Sequence, residues 1–260
     1  MEYQFLETRI ENNVLIVTLA REDQLNALNR KMIGEIRQLF EALDKDLSGI
    51  RGVVMTGKGN RAFAAGADIK ELTILNVDEA YMISQDGHTT FDLIENFRIP
   101  VIAAINGYAL GGGFEVALAC HIRVANSSAR IGLPESTLGL IPGYGGTQRL
   151  TRIVGRARAI ELICSGEMVQ ANEAAELNIV SHVTEPGKEV EKAVEIIEKM
   201  TRFAPESVGK VLEATLLHYT QPEDGFRYER KAFAELLQSK NAKEGMLAFM
   251  EKRKPEFQRD

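Results

Sequence analysis

The most informative segment of this 260-residue chain is Asn106-Gly-Tyr-Ala-Leu-Gly-Gly-Gly-Phe-Glu115. It follows the apolar run Val101–Ile105, which opens after Pro100 and predicts a buried strand. An apolar helix is expected directly afterwards, at about residues 114–120. Consecutive glycines between a strand and a helix leave backbone N–H groups uncovered and let a ligand approach closely. This order indicates an α/β fold with a loop suited to binding a ligand.

A second loop of small residues, Ala62-Phe-Ala-Ala-Gly-Ala-Asp-Ile-Lys-Glu71, follows another predicted strand at residues 53–56. Two such loops can each aim one backbone N–H at a single developing oxyanion. The alternative is that both are tight turns that permit close packing between strands and helices. Nucleotide-binding motifs are excluded by the spacing, since neither G-x-G-x-x-G nor G-K-[ST] occurs.

In the rest of the chain, the periodicity of apolar residues predicts an α/β body followed by a helical tail. A strand is predicted at Val14–Leu19, a helix with an apolar stripe from Met32 to Leu43, a helix at 78–96, and a short strand pair at 122–125 and 129–131. Beyond residue 144 helices dominate, at about 146–154, 157–164, 171–177, 188–202, 205–219, 223–238 and 242–253. We divide the chain into a core, residues 1–200, and a helical C-terminal segment, residues 201–260. The helices of that segment are short and need another surface to bury their apolar stripes.

Composition excludes several classes of protein. A hydrophobic share of 45% and a charged share of 26% are ordinary for a soluble globular protein. The formal net charge is −6, and no basic stripe suggests nucleic-acid binding. Apolar runs are too short to cross a membrane, and the first residues lack the basic region of a secretory signal, so a cytoplasmic protein is expected. Cys120 and Cys164 lie in apolar contexts without metal or redox spacing and are predicted to be small buried hydrophobes.

Two carboxylates are candidates for catalysis. Glu115 is placed in the first turn of an otherwise apolar helix, and Glu135 follows Pro134 on a loop. Either acid alone could be an ordinary helix-end or surface group. As a pair beside a glycine-rich anion site, they could share acid and base roles on one substrate.

Three motifs in this order resemble the crotonase superfamily and, within it, the enoyl-CoA hydratases. They are Ala64–Glu71 (AAGADIKE), Asn106–Glu115, and Pro134-Glu135 followed by Ile141-Pro-Gly-Tyr-Gly-Gly-Thr-Gln-Arg-Leu150. The resemblance runs from Gln24-Leu-Asn-Ala-Leu28 to Gly245-Met-Leu-Ala-Phe-Met-Glu-Lys-Arg-Lys254. It implies a crotonase-like spiral of ββα turns, a C-terminal helical segment that trimerises, and a homo-hexamer built from two trimers.

The resemblance also implies roles for individual residues. The backbone N–H groups of Ala67 and Gly112 match the oxyanion hole that binds the thioester carbonyl, and Glu115 and Glu135 match the two hydratase glutamates. Contacts with the acyl-CoA substrate are implied for Asp23, Gln24, Leu25, Ala27, Ala65, Asp68, Ile69, Lys70, Phe249 and Lys252, of which the last two would reach the CoA of a neighbouring subunit. No metal and no cofactor are implied, because CoA is part of the substrate.

The implied activity is reversible addition of water across the C2=C3 double bond of 2-enoyl-CoA thioesters, a lyase reaction of fatty-acid β-oxidation or related acyl-CoA degradation. Our hypothesis is that Glu115 activates the water and Glu135 donates a proton to C2, although coupled carboxylates titrate as a pair. Three alternatives remain. They are a branched-chain hydratase such as methylglutaconyl-CoA hydratase, an enoyl-CoA isomerase, and a non-catalytic RNA-binding protein, which would need a more basic helix than residues 31–45 provide.

Three positions depart from the family pattern. Arg21-Glu-Asp23 stands where Arg-Pro is usual, which predicts a less rigid first CoA loop. Leu133 replaces a glutamine found in some hydratases, and His121, where Asp is common, is predicted to be structural. Candidates for the apolar pocket wall are Ile69, Leu72, Phe91 and Leu140.

Overall fold

The computed structural model of the chain describes residues 3–220, 230, 231, 233, 235 and 239–258. Its strands are β1 (Leu6–Glu11), β2 (Val14–Leu19), β3 (Gly52–Gly57), β4 (Ala62–Ala65), β5 (Val101–Ile105), β6 (Tyr108–Leu110), β7 (Ile122–Asn126), β8 (Arg130–Gly132), β9 (Val169–Gln170) and β10 (His182–Thr184). Its α-helices are α1 (Arg30–Lys45), α2 (Ile69–Leu72), α3 (Val77–Glu95), α4 (Gly112–Ala119), α5 (Gly146–Val154), α6 (Arg156–Ser165), α7 (Ala171–Glu176), α8 (Glu189–Met200), α9 (Pro205–Thr220) and α10 (Lys240–Glu251). Short 3-10 helices lie at Glu22–Gln24 and Pro134–Leu138.

The strands form two sheets that the chain visits in turn. The larger sheet has the order β1-β2-β3-β5-β7-β10, and the smaller has the order β4-β6-β8-β9. The successive pairs β3–β4, β5–β6 and β7–β8 each place one strand in the larger sheet and the next in the smaller. Helices α2 and α3 follow the first pair, and α4 follows the second. The result is a repeated ββα unit that winds as a spiral.

The core surrounds the larger sheet on both faces. Strands β3 and β5 are buried along their whole length, as expected for parallel strands covered on both sides. Val53 and Met55 face the main core with helix α1, whereas Val54 packs on the other face against Ile197 of helix α8. The smaller sheet carries the loops that follow β4 and β6.

Several predicted elements are confirmed. The bounds of β2, β5 and α5 agree with the prediction, and α3 differs by one residue at each end. The α/β character is also confirmed. The predicted helix at 223–238 falls mainly outside the described residues, and the division into a core and a C-terminal segment stays a prediction.

Three predictions are wrong. The segments 122–125 and 129–131 are strands, as predicted, but they do not pair with each other, because β7 joins the larger sheet and β8 the smaller. The loops proposed after β3 and β5 begin with strands: Ala62–Ala65 and Tyr108–Leu110 pair in parallel. Cys120 is buried as predicted, but Cys164 is exposed, because it lies on the outer side of α6.

The C-terminal helices leave apolar side chains in contact with solvent. Val211 on α9 is 59% exposed, and Met250 on α10 is 71% exposed. Met246 and Leu247 are also exposed. Among the described residues, no helix combines the length and the apolar character needed to cross a membrane.

Candidate active site

The smaller sheet brings the two small-residue loops together. Strands β4 and β6 run parallel, and their last paired residues are Ala65 and Leu110. The chain then leaves the sheet through Gly66, at a φ of +101°, and Gly111, at a φ of +50°. Left-handed conformations of this kind favour glycine, which explains the residue type at both positions. The segments 66–67 and 111–112 therefore emerge side by side.

Two backbone amides border the space beyond these strand ends. The amide of Leu28 donates to the Gly66 carbonyl at 2.8 Å, and the amide of Asp68 donates to the Leu28 carbonyl at 2.8 Å. The amide of Ala67 lies between those two contacts and is turned to the opposite side, as alternation along an extended segment requires. Gly112 begins α4, so its N–H has no partner within the helix. The Ala67 nitrogen is 3.5 Å from the position that a Cβ on Gly112 would take, so both donors lie at one edge of a shared space.

That space is a cavity of about 300 Å³ with a largely apolar wall. It is lined by Ala67, Gly112, Glu115 and Glu135 together, so the structure places all four predicted central residues in one site. The predicted wall residues Ile69, Leu72 and Leu140 also line it. Phe91 does not line it: this side chain is fully buried and contacts the Tyr144 ring edge-on, with 5.6 Å between ring centroids.

Glu115 is 1% exposed in the first turn of α4. Its Oε1 atom accepts hydrogen bonds from the amides of Tyr144 and Gly146, each at 2.7 Å. Burial raises the pKa of Glu115 to about 7, with Glu135 adding to the rise, while the two amides and Arg149 oppose it. Both protonation states are therefore populated near neutral pH, which suits a group that exchanges protons with a substrate.

Glu135 lies in the 3-10 helix after β8, with Pro134 at its start. Its Oε2 atom is buried and has no hydrogen-bond partner among the described residues. Burial raises the pKa of this carboxyl group, so it keeps its proton to a higher pH than an ordinary glutamate does. Its Oε1 atom is 2.8 Å from the position that a Cβ on Gly111 would take. The glycine at 111 therefore leaves room for the carboxyl group beside the loop.

The contacts with Tyr144, Gly146 and Arg149 were missed by the sequence reasoning. Tyr144 lines the cavity, and its ring fits against Gly87 of α3, where a Cβ would collide with ring atom Cδ1. The signal was present in the Gly-Tyr-Gly-Gly run at 143–146 and the buried arginine that follows it in α5. The partner of that run, Glu115, is about thirty residues away, so spacing alone did not reveal the contact.

The predicted CoA-contact residues near the N-terminus lie along one rim. The Ala65 amide donates to the Leu25 carbonyl at 3.0 Å, which joins the segment 24–27 to the end of β4. Ala65 and Ile69 line the cavity, while Gln24 and Lys70 are exposed. The structure thus brings Gln24, Leu25, Ala27, Ala65, Asp68, Ile69 and Lys70 into one neighbourhood.

A half-buried ion pair holds this rim together. Arg21 donates from Nη2 to Asp68 Oδ2 at 2.9 Å and from Nη1 to the Ala27 carbonyl at 2.6 Å. The same carboxylate accepts from the Lys70 amide and caps α2, and the Arg21 contact holds the pKa of Asp68 below its ordinary value.

Of the two C-terminal CoA-contact candidates, Lys252 is not among the residues that line the cavity. Lys252 is exposed at the end of α10, in a left-handed conformation with a φ of +53°. Phe249 belongs to α10, and its side chain lies outside the described residues. Their predicted role in a neighbouring subunit's site stays a prediction.

Two of the departures from the family pattern, His121 and Leu133, have structural explanations. His121 accepts the Val101 amide at Nδ1, at 2.9 Å, and its Nε2 faces the Glu95 carbonyl at 3.2 Å, which makes Nε2 the protonated nitrogen. Burial lowers the pKa of His121 to about 4, so the ring is a neutral packing group. Leu133 is buried beside Gly146 and adds to the apolar surroundings of Glu115. Within the described ranges no cluster of three or more His, Cys, Asp or Glu side chains is arranged to hold a metal ion.

Comparison with known proteins gives consistent matches over the chain. The family model for enoyl-CoA hydratase/isomerase matches residues 9–260. A probable enoyl-CoA hydratase of Bacillus subtilis is 41% identical over 251 residues, covering 95% of this chain and 96% of the relative. A short-chain-enoyl-CoA hydratase of Clostridium acetobutylicum is 40% identical over 248 residues, covering 95% and 94%. The crystal structure of an enoyl-CoA hydratase from Bacillus anthracis superposes with a TM-score of 0.92 at 38% identity, covering 98% of this chain and 99% of that one.

Proposed function

The chain belongs to the enoyl-CoA hydratase/isomerase family and has the predicted crotonase-like fold, and from that premise we propose how its own site works. The reaction is the reversible addition of water across the C2=C3 double bond of a 2-enoyl-CoA thioester, which gives a 3-hydroxyacyl-CoA. The observation that carries this proposal is the meeting of the buried Glu115, the half-buried Glu135 and two backbone donors in one apolar cavity.

Stabilisation of negative charge is the first requirement. Addition of water to C3 moves electron density onto the thioester oxygen, and that oxygen accepts from the amides of Ala67 and Gly112. In a site that excludes water, removal of one such donor typically costs about 10²–10³ in rate. The apolar wall keeps competing water away from the oxygen.

Proton transfer is the second requirement. Glu115 keeps Oε1 on the Tyr144 and Gly146 amides and uses its other oxygen to take a proton from the attacking water. The hydroxyl group bonds to C3, and Glu135, whose pKa is raised by burial, gives its proton to C2. Glu115 has then gained the proton that Glu135 has lost, and transfer of one proton from the first to the second restores the site.

The second carboxyl group favours hydration over the alternatives. An enoyl-CoA isomerase can work with a single carboxylate, whereas this cavity holds two. A non-catalytic RNA-binding role is disfavoured because α1 alternates acidic and basic residues. A branched-chain hydratase would use the same two groups and differ in the acyl group that the wall accepts.

The test is hydration of crotonyl-CoA by the variants Glu115→Gln and Glu135→Gln, followed as loss of the conjugated absorbance. Each variant is expected to lose about 10²–10⁴ in kcat, the usual contribution of a general acid or base. Glu41→Gln, on the exposed side of α1, is the matched control. Near-normal turnover in either site variant would remove that residue from the mechanism. A panel of straight and branched enoyl-CoA thioesters then separates the hydratase classes.

We further propose the setting in which the enzyme works. CoA enters as part of the substrate, with no separate cofactor, and the pathway is fatty-acid or related acyl-CoA degradation. Exposed apolar side chains on α9 and α10 support assembly into a homo-hexamer of two trimers. The two cysteines are unpaired thiols, which supports a reducing compartment such as the cytoplasm.

A further inference from the structure

Arg149 is a buried guanidinium directly behind the loop that holds Glu115. It lies in the first turns of α5 and is 5% exposed. Its Nη1 donates to the Tyr144 carbonyl at 2.9 Å, its Nη2 to Asp92 Oδ1 at 2.6 Å, and its Nε to Glu95 Oε2 at 3.0 Å. Both carboxylates belong to α3, so Arg149 joins the loop to that helix.

Tyr144 connects Arg149 with the candidate base through its own backbone. Its carbonyl accepts from Arg149, and its amide donates to Glu115 Oε1 at 2.7 Å. Gly146, two residues later, supplies the second amide to the same oxygen. The orientation of the loop therefore depends on Arg149 on one side and determines the hydrogen bonds to Glu115 on the other.

Gly145 shows independently that the loop and the guanidinium are fitted to each other. Its φ is +102°, a left-handed value that favours glycine. A Cβ at this position would collide with Arg149 Nη1. A side chain at 145 would thus strain the backbone and also displace the guanidinium.

We propose that Arg149 is a positioning residue for hydration: by holding the Tyr144 carbonyl, it keeps the 144–146 loop oriented so that two amides bind Glu115 as a carboxylate. The inference rests on the proposed function, because it assigns Arg149 an effect on the group that activates water. Arg149 itself does not line the cavity.

The charges around the two groups agree with this role. Glu115 faces Glu135 of the 3-10 helix, the Tyr144 ring and Arg149 of α5. Arg149 in turn faces Asp92 and Glu95 of α3, and Glu95 also pairs with Arg152 at 3.1 Å. The side chain of His88 lies nearby, across Gly145. Of the charged groups facing Glu115, Arg149 is the cation that opposes the rise in its pKa.

The experiment compares Arg149→Met, Arg149→Lys and the control Arg152→Met. The control also removes a partner of Glu95 but does not touch the Tyr144 carbonyl. For Arg149→Met we expect kcat for crotonyl-CoA at pH 7 to fall by about 10- to 100-fold, as small displacements of catalytic groups do. The acid limb of the kcat profile should move up by about one pH unit, with KM within about threefold of wild type. For Arg149→Lys, both kcat and the acid limb of its pH profile should lie between those of Arg149→Met and wild type. Arg152→Met should match wild type in both.

A titration of Glu115 by carbon-13 NMR, with Glu115→Gln to assign the signal, gives a readout that does not require turnover. Folded Arg149→Met with the wild-type pH profile and the wild-type titration would overturn the proposal. If Arg149→Met does not fold, the same two measurements on Arg149→Lys decide it. If the wild type hydrates none of the thioesters, the proposed function fails, and the Glu115 titration still decides whether Arg149 positions the loop.

Discussion

Glu115 has one oxygen held by the protein and another left for chemistry. The two amides on Oε1 come from a loop about thirty residues further along the chain. Its place in the first turn of an apolar helix could be predicted from sequence, because the glycines and the apolar run mark the start of α4. Its hydrogen-bond partners could not be predicted, because they depend on how α5 packs beside α4.

Burial of Glu115 predicts a specific dependence of stability on pH. The folded pKa is about 7 and the ordinary value is 4.5, so between these values the folded state holds a proton that the unfolded state releases. Stability therefore falls as pH rises from 4.5 to 7. The free energy of unfolding of wild type, relative to Glu115→Gln, should drop by about 3 kcal/mol across this window and stay level above it. Urea denaturation at a series of pH values measures the difference.

The free energy of unfolding is compared with that of Glu115→Gln because another buried group, His121, changes stability with pH in the opposite direction. His121 has a folded pKa of about 4 and an ordinary value of 6.5, so its contribution to stability is lost as pH falls through that range. His121 is present in both proteins and cancels, and Glu41→Gln serves as a surface control. A wild-type minus Glu115→Gln difference that does not change with pH would contradict the assignment.

At the scale of elements, helix α3 contains a glycine, Gly87, whose missing side chain leaves room for the ring of Tyr144. Gly87 is buried in the middle of α3, where glycine ordinarily weakens a helix by about 0.5–1 kcal/mol relative to alanine. The Tyr144 ring occupies the space that a Cβ would need. The glycine thus lets a loop ring enter between the start of α4 and the middle of α3.

Gly87→Ala is accordingly expected to destabilise the protein despite the better helix propensity. Overpacking typically costs about 1–3 kcal/mol, which exceeds the propensity gain. The ring should also move toward the cavity and lower kcat. Gly34→Ala in α1 is the matched control, because nothing lies within 4 Å of its added Cβ, and it should stabilise by about 0.5–1 kcal/mol. Thermal unfolding of both variants checks the pair, and stabilisation by Gly87→Ala would refute the packing argument.

The rim around Arg21 gives a prediction about binding. Arg21 connects the 24–27 segment, through the Ala27 carbonyl, to the Asp68 cap of α2. Arg21→Met should loosen both segments and raise KM for CoA thioesters about fivefold, the equivalent of one lost hydrogen bond. The value of kcat should change little, because neither glutamate is touched. Arg9→Met on the exposed strand β1 is the control. Steady-state kinetics that show a fall in kcat at unchanged KM would contradict this role.

The length and residue types of the strands determine which of them could be predicted from sequence. Strands β2 and β5 contain β-branched runs of five or six residues, whose pattern is strong without any partner. Strands β4, β6 and β9 have only two to four residues, and β4 (AFAA) and β6 (YAL) each contain a single residue with strong strand preference. Their extended form depends on pairing with segments about forty residues away, as Ala65 does with Leu110 and Val169 with Ile131. Propensity within a short window does not contain that information.

At the scale of the whole molecule, the C-terminal helices leave large apolar side chains exposed to solvent. Val211 on α9 and Met250 on α10 are more than half exposed in the single chain. Large apolar side chains exposed on both α9 and α10 favour a surface that another chain covers. If the proposed trimer forms, it covers them and brings Lys252 to a neighbour's substrate, and the C-terminal segment then takes part in binding as well as in assembly.

Assembly and substrate binding should therefore fail together. Light scattering after size exclusion is expected to give a mass of about 86 kDa for a trimer or about 173 kDa for a hexamer of 28.8 kDa chains. The double variant Val211→Glu, Met250→Glu places charges on the exposed apolar surface and should shift the mass toward one chain. KM for crotonyl-CoA should then rise, and the single variant Lys252→Met should reproduce part of that rise without changing the mass. Ile10→Glu, at an exposed apolar position on β1, controls for the added charge. A monomeric double variant with unchanged KM would show that each chain binds its substrate alone.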